Sequence, residues 1–459
     1  MKLLSKLILS FSVFCMLACL QAQGQTYYNF ARGEIGSTSS YSLIRTVDAQ
    51  RAVAYYENLG VGNNLLRVGM DGFVREARFN ENDIEIKDMR VVGDDVFFCG
   101  IRRSTRRGIL GHALVSAIEG GMVNITYREI DLGITGSSTF MWRLAAYPDG
   151  SGSFRVVAVG EMYYSYSSSV PWWFYICPGF YYEGCHTFLV VEYKYSGGMF
   201  SPLGCKFFSD YDRYERADGV VLTDNWLAII SFFPQKNELN VHRCNKYNVI
   251  GTLDNYYSYA VAPGEGVYHC CKMKGDTIAL VGLANVPGTA LYETHMRTVD
   301  LGSMAMTSAQ MFSLLAKAEP EEIVYMPEST TLVLLQHQQF PSSAFHYAYV
   351  YLKPYVAPPY TASLIYEGAD HPFHSIDRLT YKHIVAAGGA YWMEKDIQAN
   401  NPSAGCYTVD GQPIVPLSKV SPMINSYGYY PRMIVPNGDV TIPVTCTSPV
   451  MSNLCIDYQ

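Results

Sequence analysis

One pattern constrains this chain more than any other. A short apolar run recurs seven times: Val53-Ala-Tyr-Tyr-Glu57, Val96-Phe-Phe-Cys-Gly100, Val156-Val-Ala-Val-Gly160, Leu227-Ala-Ile-Ile-Ser231, Ile278-Ala-Leu-Val-Gly282, Leu332-Val-Leu-Leu-Gln336 and Ile384-Val-Ala-Ala-Gly388. Each copy has four largely apolar residues, and the fifth is Gly in four of the seven. A strand that is apolar at consecutive positions has both faces buried, whereas one that alternates buries a single face. Several copies follow a turn signal such as Gly93-Asp94-Asp95, Pro148-Asp149-Gly150 or Gly275-Asp276.

The runs start 43, 60, 71, 51, 54 and 52 residues apart, a mean near 55, and the longest gap holds an aromatic insertion at about 163–186. Most are followed by a second strand-like segment, as at 108–115, 185–193 and 344–352, rich in the Val, Tyr, Phe and Thr that pleated surfaces favour. A multi-stranded unit of this length cannot cover its own faces. Radial stacking covers them, which predicts an all-β β-propeller of seven blades, with six or eight as alternatives. Gly at the end of a run is expected where strands approach closely or turn tightly. Two tandem sandwiches are the competing architecture. A strand at 26–31 is expected to close the ring near 404–408 or 433–435. The best helical window is 308–318. No linker cuts the chain, so residues 25–459 are expected to be one domain.

The element running from Asp88 to Gly100 (DMRVVGDDVFFCG), with the later Gly-Asp/strand repeats and the exported start described next, resembles uncharacterised exported β-propeller-like proteins of Gram-negative bacteria. The resemblance spans about 45–420 and brings no agreed activity or catalytic residues. Neither the Trp-Asp dipeptides of WD40 repeats nor the glycine pairs of kelch repeats recur regularly.

Residues 1–24 have the three parts of a secretory signal peptide: Lys2 and Lys6, the 14-residue apolar stretch Leu7–Leu20, and small residues that permit cleavage after Ala22 or Gly24. The stretch is too short to span a bilayer stably, and no later run reaches the required length, so the mature chain is expected to have no transmembrane span. The sequence Met16-Leu17-Ala18-Cys19 offers an alternative, a lipid anchor on Cys19. The expected location is secreted, periplasmic or associated with the outer membrane. The whole chain carries a formal charge of −7 and only 16 % charged residues. Removing the two lysines of the leader makes it −9, a poor match to nucleic acid, which needs concentrated basic surface. Ten cysteines remain after the leader, and the best disulfide candidates are Cys177 with Cys185 and Cys446 with Cys455. Cys270 and Cys271 are adjacent, so on a strand they face opposite ways and are not expected to bond each other.

Two clusters stand out as interaction sites. Trp172, Trp173, Tyr175, Tyr181 and Tyr182 crowd the insertion, where exposed aromatic faces suit sugar rings or an apolar partner; the competing role is packing against their own blade. Arg102 and Arg103, with Arg106 and Arg107, crowd one connection, where guanidinium forks suit carboxylates or sulfates; the competing role is a solvated hairpin that discourages edge pairing. Asp370-His371-Pro-Phe-His374 lacks the helix of HExxH chemistry, and no metal or other cofactor is expected. The acids Asp94, Asp95, Glu161, Asp224, Asp276, Glu321 and Glu322 lie near strand ends, where turn chemistry already accounts for acids, and no catalytic pair stands out. The sequence therefore points to a binding or scaffolding propeller at the cell envelope whose partner is a glycan or an envelope protein. A propeller enzyme acting on carbohydrate is the alternative. Convergent acids in a central funnel without aromatic cover would favour the enzyme, and an apolar plug with an exposed aromatic loop would favour binding.

Overall fold

The computed structural model describes residues 39–58, 62–69, 74–79, 83–120, 124–132, 137–150, 152–164, 185–209, 216–233, 237–261, 266–285, 292–306, 310–313, 317–328, 331–339, 345–352, 363–367, 374–381, 383–388, 391–396, 423–426, 440–444 and 451–455. These residues form seven antiparallel sheets, each built on a meander in chain order, and three of them carry one further strand from 423–455. The seven apolar runs fall, without exception, on the second strand of a sheet: Arg51–Asn58, Asp95–Arg102, Ser153–Tyr164, Trp226–Phe233, Thr277–Asn285, Thr331–Gln339 and His383–Gly388. We number the sheets as blades 1 to 7.

The first strand of each blade is the inner one. These are Ser39–Asp48, Ile84–Val92, Ser137–Pro148, Arg216–Leu222, Gly266–Lys272, Lys317–Met326 and Ser375–Arg378. Each touches the inner strand of the next blade, and the seventh touches the first, so the sheets close into a ring around an axis. The chain is a β-propeller. Two sandwiches are ruled out, because a sandwich pairs sheets face to face and makes no such cycle of inner strands.

The consecutive apolar runs act as the two-face argument requires. In blade 2, Phe98 packs with Val53 and Tyr55 of blade 1, while its neighbour Phe97 packs with Val156 and Ala158 of blade 3. Val157 and Val159 of blade 3 turn the other way, onto Leu227 and Ile229 of blade 4. Ala228 and Ile230 then meet Ile278 and Leu280 of blade 5. All of these side chains are buried. Burial of each large one contributes about 1.5–3 kcal/mol.

The glycines that end the runs have a particular cause. The inner strand carries a register shift against the second strand in each of blades 1 to 6. Such bulges bend and twist a strand. Opposite two of them sit Gly100 and Gly160, where an added Cβ would lie 1.9 Å from the Glu85 carbonyl oxygen and 1.8 Å from that of Phe140. Only glycine lets the second strand approach the bulged backbone there.

Two expectations are revised. The window 308–318 holds no helix among its described residues: Gln310–Ser313 is a strand paired with Tyr292–Asp300, and Lys317 begins the inner strand of blade 6. Strand pairing overrides the helical preference of so short a segment. The ring joins blade 7 to blade 1 through side-by-side contact of Ser375–Arg378 and His383–Gly388 with Ser39–Asp48; residues 26–31, 404–408 and 433–435 lie outside the described residues. Three further strands were not anticipated. Met423–Ser426, Val440–Val444 and Met451–Cys455 add to the outer edges of blades 5, 3 and 2, where they cover otherwise open sheet edges.

Candidate functional site: the axis and the face around it

The inner strands surround a cavity of about 320 Å³ on the propeller axis. Every blade contributes to it, from Arg45 of blade 1 to His374 just before the inner strand of blade 7. Four cations (Arg45, Lys87, Arg90, Arg143) and four acids (Glu85, Asp88, Glu321, Glu322) line it, together with His269 and His374. Among the described residues no aromatic ring other than these two imidazoles is in the lining. The described lining is therefore polar rather than the apolar plug that the binding reading anticipates.

Most of the charges belong to one network. Arg45 is buried and reaches Asp88 of blade 2 at 3.0 Å and Glu322 of blade 6 at 2.8 Å, so one guanidinium ties three blades together. Asp88 also accepts from Arg90 at 3.1 Å, and its second oxygen accepts the backbone N–H of Leu144 in blade 3 at 3.0 Å. Glu322 accepts the N–H of Ile376 in blade 7 at 2.9 Å and the Ser375 hydroxyl at 2.7 Å. Asp377 in turn accepts the N–H of Thr46 in blade 1 at 2.7 Å, and the Ser375 oxygen accepts that of Ile44 at 3.2 Å. The device repeats: an oxygen on one inner strand receives a backbone donor from the next. It bridges blades 2 to 3, 6 to 7 and 7 to 1, and thereby reinforces the seam where the ring closes.

Burial pushes the Asp88 carboxyl up, but Arg90, Arg45, Arg143 and the Leu144 N–H outweigh it and hold the group below the ordinary carboxylate range. Asp377 goes the other way: burial and the Glu322 charge raise it more than Arg45 and two N–H donors lower it. For Arg45, Glu322, Asp88 and Asp377 outweigh desolvation and keep it charged. Asp88 and Glu322 are thus occupied carboxylates with several donors each.

The topology also fixes what surrounds the cavity. Inner strands start on the face that carries the turns between second and third strands. Glu85 and His374 lie at or next to those starts, Glu321 lies midway along its strand, and Arg45, Arg90 and Arg143 lie farther along. Both sequence-nominated clusters leave from this face, in neighbouring blades. Arg102–Arg107 is the turn between the second and third strands of blade 2. The aromatic segment joins the paired ends Tyr164 and Cys185 of the corresponding strands of blade 3. Trp172, Trp173, Tyr175, Tyr181 and Tyr182 themselves lie outside the described residues, as do Cys177, Cys446, Asp370 and His371. Cys185 and Cys455 sit at strand ends. Cys99, Cys244, Cys270 and Cys271 are free thiols, in keeping with the expectation that Cys270 and Cys271 do not bond each other.

The arginine turn is held by acids of its own blade and its flanks. Arg102 bridges Asp83 at 2.8 Å and Glu129 at 2.5 Å, and its guanidinium lies 5.9 Å from the ring centre of Tyr127. Arg103 reaches Glu85 at 3.2 Å and Arg107 reaches Asp131 at 2.9 Å. Arg106 is exposed and adopts a left-handed φ of 53° at the turn. Of the acids considered from sequence, Glu321 and Glu322 reach the axial cavity. Asp276 instead clamps the neighbouring blade's turn by accepting from Thr223 and Asn225. Asp94 accepts from Ser116 within blade 2. Among the described residues no group of three or more His, Cys, Asp or Glu side chains is arranged to hold a metal ion, and no helix is long and apolar enough to cross a membrane.

Sequence reasoning missed Arg45, Asp88 and Arg143 as site residues. A signal for the first two was present. Arg45, Asp88, Asp218, Glu322 and Ser375 are buried or line the cavity, and they precede the start of the next apolar run by 8, 8, 9, 10 and 9 residues.

No family model matches the chain, and no curated protein matches it. Solved structures do. They include YCF48 bound to D1 peptide (10 % identity, covering 81 % of this chain and 97 % of that one, TM-score 0.43). Drosophila Plexin A in complex with Semaphorin 1b is another (8 % identity, 82 % and 88 %, TM-score 0.44). A third is the extracellular domains 1–2 of Drosophila Semaphorin 1b (7 % identity, 82 % and 87 %, TM-score 0.40).

Proposed function

We propose that this protein is an exported binding or scaffolding propeller of the cell envelope that takes a glycan or a protein on the face described above. One observation carries the reading: the arginine turn and the strand ends that bear the aromatic segment come from adjacent blades on a single face. Aromatic faces beside guanidinium groups form a surface suited to acidic sugars or to a protein edge. Residues 1–24 serve as the export signal in this reading, with acylation of Cys19 as the alternative route to the membrane.

A carbohydrate-active enzyme is the second reading, and the four acids that line the axial cavity favour it. Against it stands the state of Asp88, whose carboxyl is held below the ordinary range by Arg90, Arg45, Arg143 and the Leu144 N–H and is therefore a poor proton donor. Glu322 is already taken up by Arg45, Ser375 and the Ile376 N–H.

The test is a glycan array on the purified mature chain, followed by Trp172→Ala with Trp173→Ala. The double variant is expected to weaken binding of the ligand found at least tenfold with an unchanged melting temperature. A large fall in melting temperature with binding intact would assign the pair to packing. Glycan cleavage that Glu321→Gln abolishes would favour the enzyme.

A further inference from the structure

Among the cations of the axis, one feels the charge of Asp88 but makes no direct ion pair among the described residues. Arg45 is shared by Asp88 and Glu322, Lys87 is paired with Glu85, and Arg90 contacts Asp88 through a single nitrogen, Nη1. Arg143, on the inner strand of blade 3, is half-buried and lines the cavity. Among the described residues its one hydrogen bond runs from Nη1 to the carbonyl of Trp142 at 3.2 Å, and no carboxylate stands within ion-pair distance of it. A guanidinium has five N–H donors in a planar fork. Most of this fork therefore opens into the cavity unused, beside the remaining donors of Arg90.

A half-buried guanidinium with most of its N–H donors unused is unfavourable unless an anion or water completes it. The resident acids are engaged elsewhere: Asp88 and Glu322 are held by donors from the flanking blades, Glu85 by Lys87, and Glu321 lies 3.9 Å from His374. From this geometry we infer that the axial cavity is a binding site for a small carboxylate, received in a two-point contact by Arg143 with Arg90 alongside. The planar fork selects a planar carboxylate over a point-like anion. Two sources share that chemistry, a uronic acid sugar and a free peptide C-terminus. A cavity of about 320 Å³ admits one sugar ring or a terminal residue or two. The inference goes beyond the binding face proposed above, and its failure leaves the loop clusters' role open to their own test.

The experiment uses the full mature chain and calorimetric titration with sodium glucuronate and with N-acetylglycine, against sodium sulfate and sodium chloride at matched ionic strength. Saturable binding of at least one carboxylate is expected, weakened tenfold or more in Arg143→Gln and threefold or more in Arg143→Lys, which keeps the charge and loses the fork. The tighter of the two carboxylates identifies the source. No saturable carboxylate binding by the unaltered protein would overturn the inference, as would equal affinity for sulfate. Should Arg143→Gln fail to fold, Arg143→Lys decides: affinity equal to that of the unaltered protein would also overturn it.

Discussion

The faces between blades and the axis that the blades surround solve opposite problems with neighbouring strands. Between blades the second strands supply apolar packing: Phe97 and Phe98, one residue apart, fill two different interfaces, and polar pairs there, such as Tyr195 with His112, come from the outer strands. Around the axis the inner strands present charge, and a set of carboxylate, hydroxyl and guanidinium groups ties one blade to the next. The dry faces act without direction and tolerate small shifts. The axial contacts are directional, and they are concentrated on either side of the closing seam. The lesson is that burial holds the sheets together while the polar axis sets where blades 7, 1 and 2 stand relative to one another.

This division can be broken at its strongest point first. Asp88→Ala should remove the partner of a buried guanidinium and cost about 3–5 kcal/mol, a loss readable by urea denaturation. Asp88→Asn, which still accepts one donor, should cost less. Next in size, Gly160→Ala should cost about 3 kcal/mol, because a Cβ there collides with backbone rather than a side chain that can move away.

A third effect is set by pH. His242 is buried in blade 4, donates from Nδ1 to the Leu253 carbonyl at 2.9 Å, and accepts the Ser231 hydroxyl at 3.3 Å. Burial pushes its pKa down from 6.5 to about 4, only partly offset by the Leu253 carbonyl and Asp254. The folded state thus disfavours the proton that the unfolded chain takes up. The associated stability is complete above pH 6.5 and is lost as pH falls toward about 4, by up to about 3 kcal/mol. His242→Gln should flatten that part of the melting-temperature profile. The smallest effect is expected at the rim: Arg103→Ala removes an exposed ion pair with Glu85 and should change stability by less than about 1 kcal/mol. A larger loss there would mean that the arginine turn shares the work of the axis.

What the sequence made legible follows the same division. The second strands could be read directly, since four apolar residues in succession have only one use in a sheet buried on both sides. The inner strands could not. They alternate, carry bulges that break the two-residue period, and place single charges such as Arg45 and Arg143 that look like any surface residue until seven blades bring them together. Asp88 was visible only as part of a repeated element. Glu321 and Glu322 resembled turn acids at a strand end, yet they line the cavity. The strands at 423–426, 440–444 and 451–455 pair with sheets far from them in sequence, a relationship that local pattern does not encode.

The central claim is that all seven second strands form one continuous dry ring. Hydrogen–deuterium exchange with mass spectrometry on the native chain tests it most directly. Peptides covering residues 53–55, 96–99, 156–159, 227–230, 278–281, 332–335 and 384–387 should exchange slowest and as a single group, with only global opening releasing them. If the peptides at 332–335 and 384–387 exchange freely while the first five stay protected, blades 6 and 7 do not belong to a closed ring, and both the seam network and the axial site built on it are wrong.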